Sequence, residues 1–301
     1  MKVAVPEGKW VVAVSGGVDS VVLLDLIAQQ MIKDQRSKVN VLVAHFDHGI
    51  RPESSEDATF VGQLAKKYGL AFFTERAELG AGASEAVARK ARYGFLRRVQ
   101  KEQGADGIIT AHHEDDLLET MILNLQRGTG SKGLSSLRST DELIRPLLGF
   151  NKSEILGYAK KHGLKWHEDA TNADDSYARN RVRHQLLPKI SDNEKQALLL
   201  TSKKASKLNA EIAELVCGYL SSQPSKDTLD REHFRDLPDE VKAEVLVHWL
   251  RRETNVEVSR QMIERLVAAI VAGRNNSMVD VARGYSLRIA RSAVVLKEGV
   301  K

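Results

Sequence analysis

Residues 10–24 read W-V-V-A-V-S-G-G-V-D-S-V-V-L-L. The apolar run at 10–14 predicts a buried strand, and the run from Val18 through Val21, Val22, Leu23, Leu24 and Ile27 predicts a helix. Between them stand Ser15, Gly16 and Gly17. Strand, glycine turn and helix together make an anion cradle. Glycine lets the backbone approach an oxyanion closely, and the free N–H groups and positive dipole end of the helix point at it. Ser15 and Ser20 add hydroxyl donors. Asp19 runs against the pattern, because a carboxylate repels phosphate; it fits if it holds a cation that bridges to the phosphates. A tight strand–helix turn with serine caps is the plainer reading.

The turn is not a Walker A loop, since no lysine follows the glycines. S-G-G-V-D-S instead resembles the PP-loop of the ATP pyrophosphatases. That resemblance implies cleavage of ATP between its α- and β-phosphates, with pyrophosphate held by Ser15, Gly16, Gly17, Val18, Asp19 and Ser20. It also implies an α/β fold, an open and mostly parallel sheet with helices on both faces.

The 301 residues are enough for two domains, and 42% hydrophobic with 28% charged residues is ordinary for a soluble globular chain. No apolar run approaches the length of a membrane span, and the first residues lack the apolar core of a signal peptide, so a cytoplasmic protein without a membrane partner is expected. Cys217 is the single cysteine, which excludes an internal disulfide or a cysteine-built zinc or iron–sulfur site within one chain and suggests a reducing compartment. A net charge of +5 is compatible with a nucleic-acid partner without requiring one.

Residues 39–46 read as a second strand, with Asp47, His48 and Gly49 at its carboxyl end. Ligands of open parallel sheets bind at that edge, so these residues should neighbour the first loop. Pro52 and the following serines break the chain. Ser55, Glu56 and Asp57 can cap a helix at 58–68, and 70–74 reads as a third strand. After a flexible glycine loop at 80–83, a helix starts at Ser84 and carries Arg89, Lys90, Arg92, Arg97, Arg98 and Lys101; Ala88, Ala91, Phe95 and Val99 form its buried stripe. Its charges read equally well as a solvated face or as an RNA phosphate track.

Residues 107–111 read as a fourth strand ending in H-H-E-D-D-L-L-E-T. The helix that follows has Leu117, Leu118, Met121, Ile122 and Leu125 as its stripe. Asp115, Asp116 and Glu119 share a face near its start. First-turn acids complement the helix dipole, yet the run at 112–116 holds more ionisable groups than capping needs, and a carboxylate cluster suits an amino-acid cation. Residues 126–134 form a glycine loop with Arg127 and Lys132. An extended stretch at 143–148 and a helix at 153–162 follow. Arg179, Arg181 and Arg183 then alternate beside Asn180. Such guanidiniums suit phosphate, though a salt-bridged surface helix is a fair alternative.

Composition shifts after Pro188. A long polar helix at 193–220, helices at 239–254 and 259–272, and two short β-like runs at 285–290 and 293–296 complete the chain. The expected domains are 1–190, catalytic, and 191–301, smaller, mainly helical and without a catalytic cluster, a tRNA-positioning module.

S-G-G-V-D-S, H-F-D-H-G-I-R, A-R-K-A-R-Y, T-A-H-H-E-D-D-L-L-E-T, N-L-Q-R-G-T-G-S-K-G-L, R-P-L-L and E-D-A-T-N…Y-A-R-N-R-V-R occur in this order. Together they resemble the tRNA(Ile)-lysidine synthetases over roughly residues 10–190. Many members carry a further C-terminal domain, which this sequence is expected to lack. The resemblance implies a reaction in two steps. ATP adenylates the wobble cytosine of a tRNA(Ile) with CAU anticodon, releasing pyrophosphate; the amine of free L-lysine then displaces AMP to give lysidine. It implies Mg²⁺ on Asp19, and catalytic roles for Asp19, Asp47 and Asp116, with Asp47 supporting nucleophile or metal. It places the lysine on Asp116 and Glu119, and tRNA against Arg89, Arg92, Arg179 and Arg183. His112 and His113 stay open between nucleotide contact, proton transfer and structure, and a homodimer is left open.

Rival readings fit less of the sequence. The tRNA thiolases of the same superfamily need cysteines for sulfur transfer, and Cys217 stands alone. NAD and GMP synthetases share the loop but not the segments around Asp47 and His112. A metal-dependent phosphohydrolase built on His45, His48, His112, His113 and Asp115 leaves S-G-G-V-D-S unexplained. A non-catalytic RNA-binding module has no need of Asp19, Asp116 and Glu119 together.

Overall fold

The glycine turn lies, as predicted, between β1 (Gly8–Ala13) and α1 (Val18–Lys33). The chain continues as β2 (Val39–Asp47), α2 (Ser54–Lys67), β3 (Ala71–Arg76), α3 (Glu85–Glu102), β4 (Gly107–Ile109), α4 (Glu114–Gln126), the single turn α5 (Ser131–Leu134), β5 (Leu143–Ile144) and α6 (Lys152–Lys161). This computed structural model describes residues 1–33, 38–49, 54–80, 84–168, 178–282 and 284–299. The break at Pro52, the glycine loop at 81–83 and the polar stretch at 169–177 lie outside the described residues.

The five strands pair in the order β3-β2-β1-β4-β5, every pair parallel. Both faces of the sheet are covered, which is why its central strands read as unbroken apolar runs. Trp10, Val12 and Val14 face one side, packing with Val22, Leu23 and Ile27 of α1 and Ile155 and Ala159 of α6. Val11, Leu42, Ala44 and Phe46 face the other, against Phe95, Leu96 and Val99 of α3. Ser84 caps α3 by accepting the Val87 N–H, and Asn151 with Glu154 forms a reciprocal capping box on α6. α6 is tied to α1 by a buried acid: Asp25 accepts the Tyr158 hydroxyl at 2.7 Å and the Tyr68 hydroxyl at 2.6 Å.

β1 has β2 on one side and β4 on the other: the chain runs outward from β1 through β2 to β3, then crosses back to β4 and on to β5, so the strand order reverses between β1 and β4. A crevice opens at the carboxyl ends of strands where the order reverses in this way. The topology therefore brings the turns after β1 and β4 together, although 97 residues separate Lys9 from Asp106 at the strands' other ends.

The chain forms two compact units, Met1–Ser206 and Lys207–Lys301. The first unit also holds α7 (Ala178–Arg181), which runs into a π turn (Val182–Leu186) and a 3₁₀ turn (Leu187–Lys189). The boundary falls within α8 (Asp192–Ser221). The second unit contains β6 (Thr228–Asp230), α9 (Arg231–Asp236), α10 (Asp239–Glu253), α11 (Arg260–Ala272), β7 (Ser277–Ala282), β8 (Tyr285–Ile289) and β9 (Ala293–Glu298). Its strands pair antiparallel in the order β6-β9-β8-β7 over a core of Phe234, Leu246, Trp249, Leu266 and Leu287. β8 and β9 are the two β-like runs of the sequence; β6 and β7 complete a sheet that the sequence pattern left half-read. Arg231 is fully buried there and donates to the carbonyls of Ile270, Gly273 and Ala290, neutralising the C-terminal end of α11. Among the described residues no helix is long and apolar enough to cross a membrane.

Candidate active site

Gly16 takes φ of +94°, a left-handed conformation that needs glycine, and so turns the chain from β1 into α1. Ser20 is buried and closes the turn from within. Its Oγ donates to the Gly17 carbonyl at 2.9 Å and accepts the Ser15 N–H at 3.2 Å. Ser15 is exposed, and its Oγ lies 3.4 Å from the Gly17 nitrogen. Ser20 thus shapes the cradle, and Ser15 stands at its mouth. His167 buttresses the loop from outside. Its N–H donates to the Gly16 carbonyl at 3.0 Å, its ring stacks on Phe60 at 4.5 Å, and its Nδ1 lies 2.6 Å from Asp57.

Asp19 is the second residue of α1. Its Oδ1 accepts the Lys152 ammonium at 2.6 Å, and its Oδ2 lies 3.8 Å from His113 Nε2. Lys152 opens α6, and its own N–H donates to Asp115 Oδ2 at 2.8 Å. The start of α6 therefore joins the loop after β1 to the turn after β4. A cavity of about 580 Å³ lies alongside, lined in part by Asp115, Lys152 and Lys195. Among the described residues no group of three or more His, Cys, Asp or Glu can hold a metal alone. One carboxylate is nonetheless what Mg²⁺ takes from a protein when phosphate oxygens and water complete its shell, so Asp19 fits a metal delivered with a nucleotide.

The turn after β4 is built around two histidines. His113 is buried at the N-cap of α4; its N–H donates to Asp116 Oδ2 at 2.9 Å, and its ring lies within 3.8 Å of Asp19, Asp115 and Asp116. His112 Nδ1 lies 2.8 Å from Thr110 Oγ1. Burial pushes His112 down to about 3; the Asp116 charge opposes this, and Arg145, Arg89 and Arg92 reinforce it. His112 is therefore a neutral imidazole at physiological pH. Arg145, just after β5, is buried as well, and its Nε has no hydrogen-bond partner among the described residues. Arg89 and Arg92 lie 4.9 and 5.7 Å from the ring centroid of Tyr93. The guanidiniums of Arg89 and Arg92 from α3 and of Arg145 after β5 thus gather around the neutral His112.

Asp116 and Glu119 share a face of α4, as their spacing predicts, and meet Arg179 and Arg183. Glu119 is fully buried; its Oε1 accepts Arg183 Nε at 2.6 Å and its Oε2 accepts Arg179 Nε at 2.7 Å. Arg179 also donates to Asp116 Oδ1 at 2.9 Å. Burial alone raises the Asp116 carboxyl, but His113, through its charge and its backbone N–H, and Arg179 outweigh it and hold it below the ordinary carboxylate value. The resemblance sets these two arginines toward tRNA and the two acids toward lysine, with a salt-bridged helix as the alternative for the arginines; the structure brings all four together. The reason is physical: a buried carboxylate pair requires counter-charge close by.

Asp47 stands at the end of β2. It accepts the Gly49 N–H at 2.8 Å and lies 3.6 Å from Arg76. Gly49 has φ of +62°, and a Cβ there would meet the Ala77 carbonyl at 2.1 Å. Among the described residues Asp47 makes no hydrogen bond or ion pair with Asp19, His113 or Asp116. Lys152, His167 and Arg145 are the site neighbours that sequence reasoning missed. Lys152 and His167 meet the loop only through folding, and the one local signal was a lysine at a capped helix start.

A family model described as a PP-loop domain matches residues 2–190. The chain is 31% identical to a tRNA(Ile)-lysidine synthase of Persephonella marina over 99% of its own length and 67% of the relative's. It is 33% identical to the synthase of Exiguobacterium sibiricum over 81% of this chain and 59% of that one. It is 41% identical to that of Thermus thermophilus over 62% and 36%. It therefore spans from about a third to two thirds of the length of these relatives. A solved U34-tRNA thiolase from Methanococcus maripaludis shares the fold, with TM-score 0.56 and 20% identity over 68% of this chain and 73% of that one. From these matches and the loop geometry, the chain belongs to the PP-loop family, within its tRNA(Ile)-lysidine synthase branch.

Proposed function

We propose that this chain uses ATP to join free lysine to the wobble cytidine of a tRNA(Ile) with CAU anticodon, yielding lysidine, AMP and pyrophosphate. The observation that carries this reading is the junction of two turns. Asp19 of the phosphate cradle and the acidic cluster of α4 meet at His113, with contacts of 3.8 Å to Asp19 and 3.5 Å to Asp116. A nucleotide activated in the cradle lies next to carboxylates suited to an amine.

In the first step the cytosine carbonyl oxygen attacks the α-phosphorus, and the bond to pyrophosphate breaks. The N–H groups at the start of α1 and the Ser15 hydroxyl hold the phosphates, on a loop shaped by Gly16, Gly17 and Ser20. Mg²⁺ held by Asp19 would offset charge on the phosphate oxygens. Asp47 supports the same edge from β2. In the second step the lysine amine attacks the activated ring carbon, AMP leaves, and the amine loses its protons. Asp116 and Glu119 receive the lysine cation as Arg179 and Arg183 turn toward RNA phosphate, and Asp116 is placed to take a proton. Arg89 and Arg92 extend the RNA track. Residues 1–190 perform the chemistry and 191–301 position the tRNA, in the cytoplasm where ATP and tRNA are present.

The test is incubation with ATP, radiolabelled lysine and an unmodified tRNA(Ile) transcript. ATP-dependent label in the RNA is expected; absence of label together with absence of pyrophosphate release overturns the reading.

A further inference from the structure

We propose that Lys152 is the phosphate-binding cation of this nucleotide loop, an inference that rests on the ATP reading above. S-G-G-V-D-S contains an acid and no base. The α1 dipole offers roughly half a positive charge, too little for a polyphosphate. In a Walker A loop a lysine beside the glycines supplies the remainder. Here the ammonium that touches the loop belongs to Lys152, 133 positions beyond Asp19, with Nζ 2.6 Å from Asp19 Oδ1.

The backbone of Lys152 is held in place, and its side chain is partly exposed. Its N–H is held by Asp115, its helix is capped by Asn151 and Glu154, and Tyr158 locks that helix to Asp25 of α1. The side chain is 41% exposed and borders the 580 Å³ cavity. A flexible four-carbon stem lets such a head change partner without movement of the backbone. Among the described residues its ammonium is paired with Asp19, and phosphate in the cradle offers a second anion. When Asp19 takes a cation that arrives with the nucleotide, the ammonium passes to phosphate, and every charge keeps an opposite neighbour. Arg145 has no such reach, because its surroundings are the α3 cluster and not the loop.

The experiment measures binding of ATP, pyrophosphate and AMP by calorimetry with magnesium present, to wild type, Lys152→Met and Lys152→Arg. A charge-assisted contact predicts that Lys152→Met weakens ATP and pyrophosphate about tenfold or more, leaves AMP within about twofold, and is largely rescued by arginine. Asp19→Asn frees the ammonium, so metal-free pyrophosphate should bind at least about threefold tighter than to wild type. Wild-type affinity for ATP and pyrophosphate in Lys152→Met, an equal loss of AMP, or no gain in Asp19→Asn overturns the assignment while the ATP reading survives. A wild-type chain that binds neither ATP nor pyrophosphate overturns both.

Discussion

Asp19, Glu119 and His112 each present one group whose removal has a defined readout. Asp19→Ala is expected to lower pyrophosphate release on the order of a hundredfold, while tRNA still binds in a filter assay; unchanged turnover would take the loop out of the reaction. Glu119→Gln keeps the shape and removes the charge, so the lysine KM should rise about tenfold or more with little change for ATP. Equal effects on the two substrates would sink the lysine assignment. His112 is held near 3 against an ordinary 6.5. Between those values the unfolded chain binds a proton that the folded site refuses, so this contribution to stability is complete above 6.5 and declines as pH falls. His112→Gln should therefore flatten the loss of melting temperature between about pH 7 and 5; parallel curves for variant and wild type would contradict it. What the sequence showed at this scale was residue type and local spacing. Gly16 and the Asp116–Glu119 pair were readable because their meaning is contained in one turn of chain. Lys152 was not, because its partner lies 133 positions away, and Arg179 and Arg183 stayed open between phosphate and salt bridges because a run of charges does not name its counter-ions.

The elements were legible wherever one period dominated. β1 and β2 announced burial on both faces, and α3, α4 and α6 came within a few residues of their observed bounds. β6 and β7 escaped because each is short or half-solvated and gains its place only by pairing with β9 and β8. The join of α1 to α6 escaped too, since it depends on Asp25 accepting hydroxyls from Tyr68 and Tyr158, and burial together with that carboxylate holds both phenols above their ordinary values. Tyr158→Phe leaves the buried carboxylate one donor short. It should lower stability by about 1–3 kcal/mol in urea unfolding, and an unchanged midpoint would show the clamp to be dispensable.

At the scale of the whole molecule, the proposed grip on RNA through phosphate requires that tRNA affinity fall steeply as salt rises. Replacing Arg89 and Arg92 by alanine should make that logarithmic slope shallower by roughly one to two, and an unaltered slope would free them of any RNA role. Composition shifts from apolar strand runs to polar helices after Pro188, whereas the compact units divide after Ser206, inside the continuous helix α8. The strand order carries one last consequence. β1 and β4 are adjacent in space, yet each ends in its own turn, written by separate stretches of the chain. On the proposed reading, energy source and nucleophile are thereby encoded in separate stretches that meet at His113 and Lys152. On that reading, a descendant rewritten at Asp116 and Glu119 but keeping His113 and Asp115 would keep the same fuel and offer the activated base to a different nucleophile.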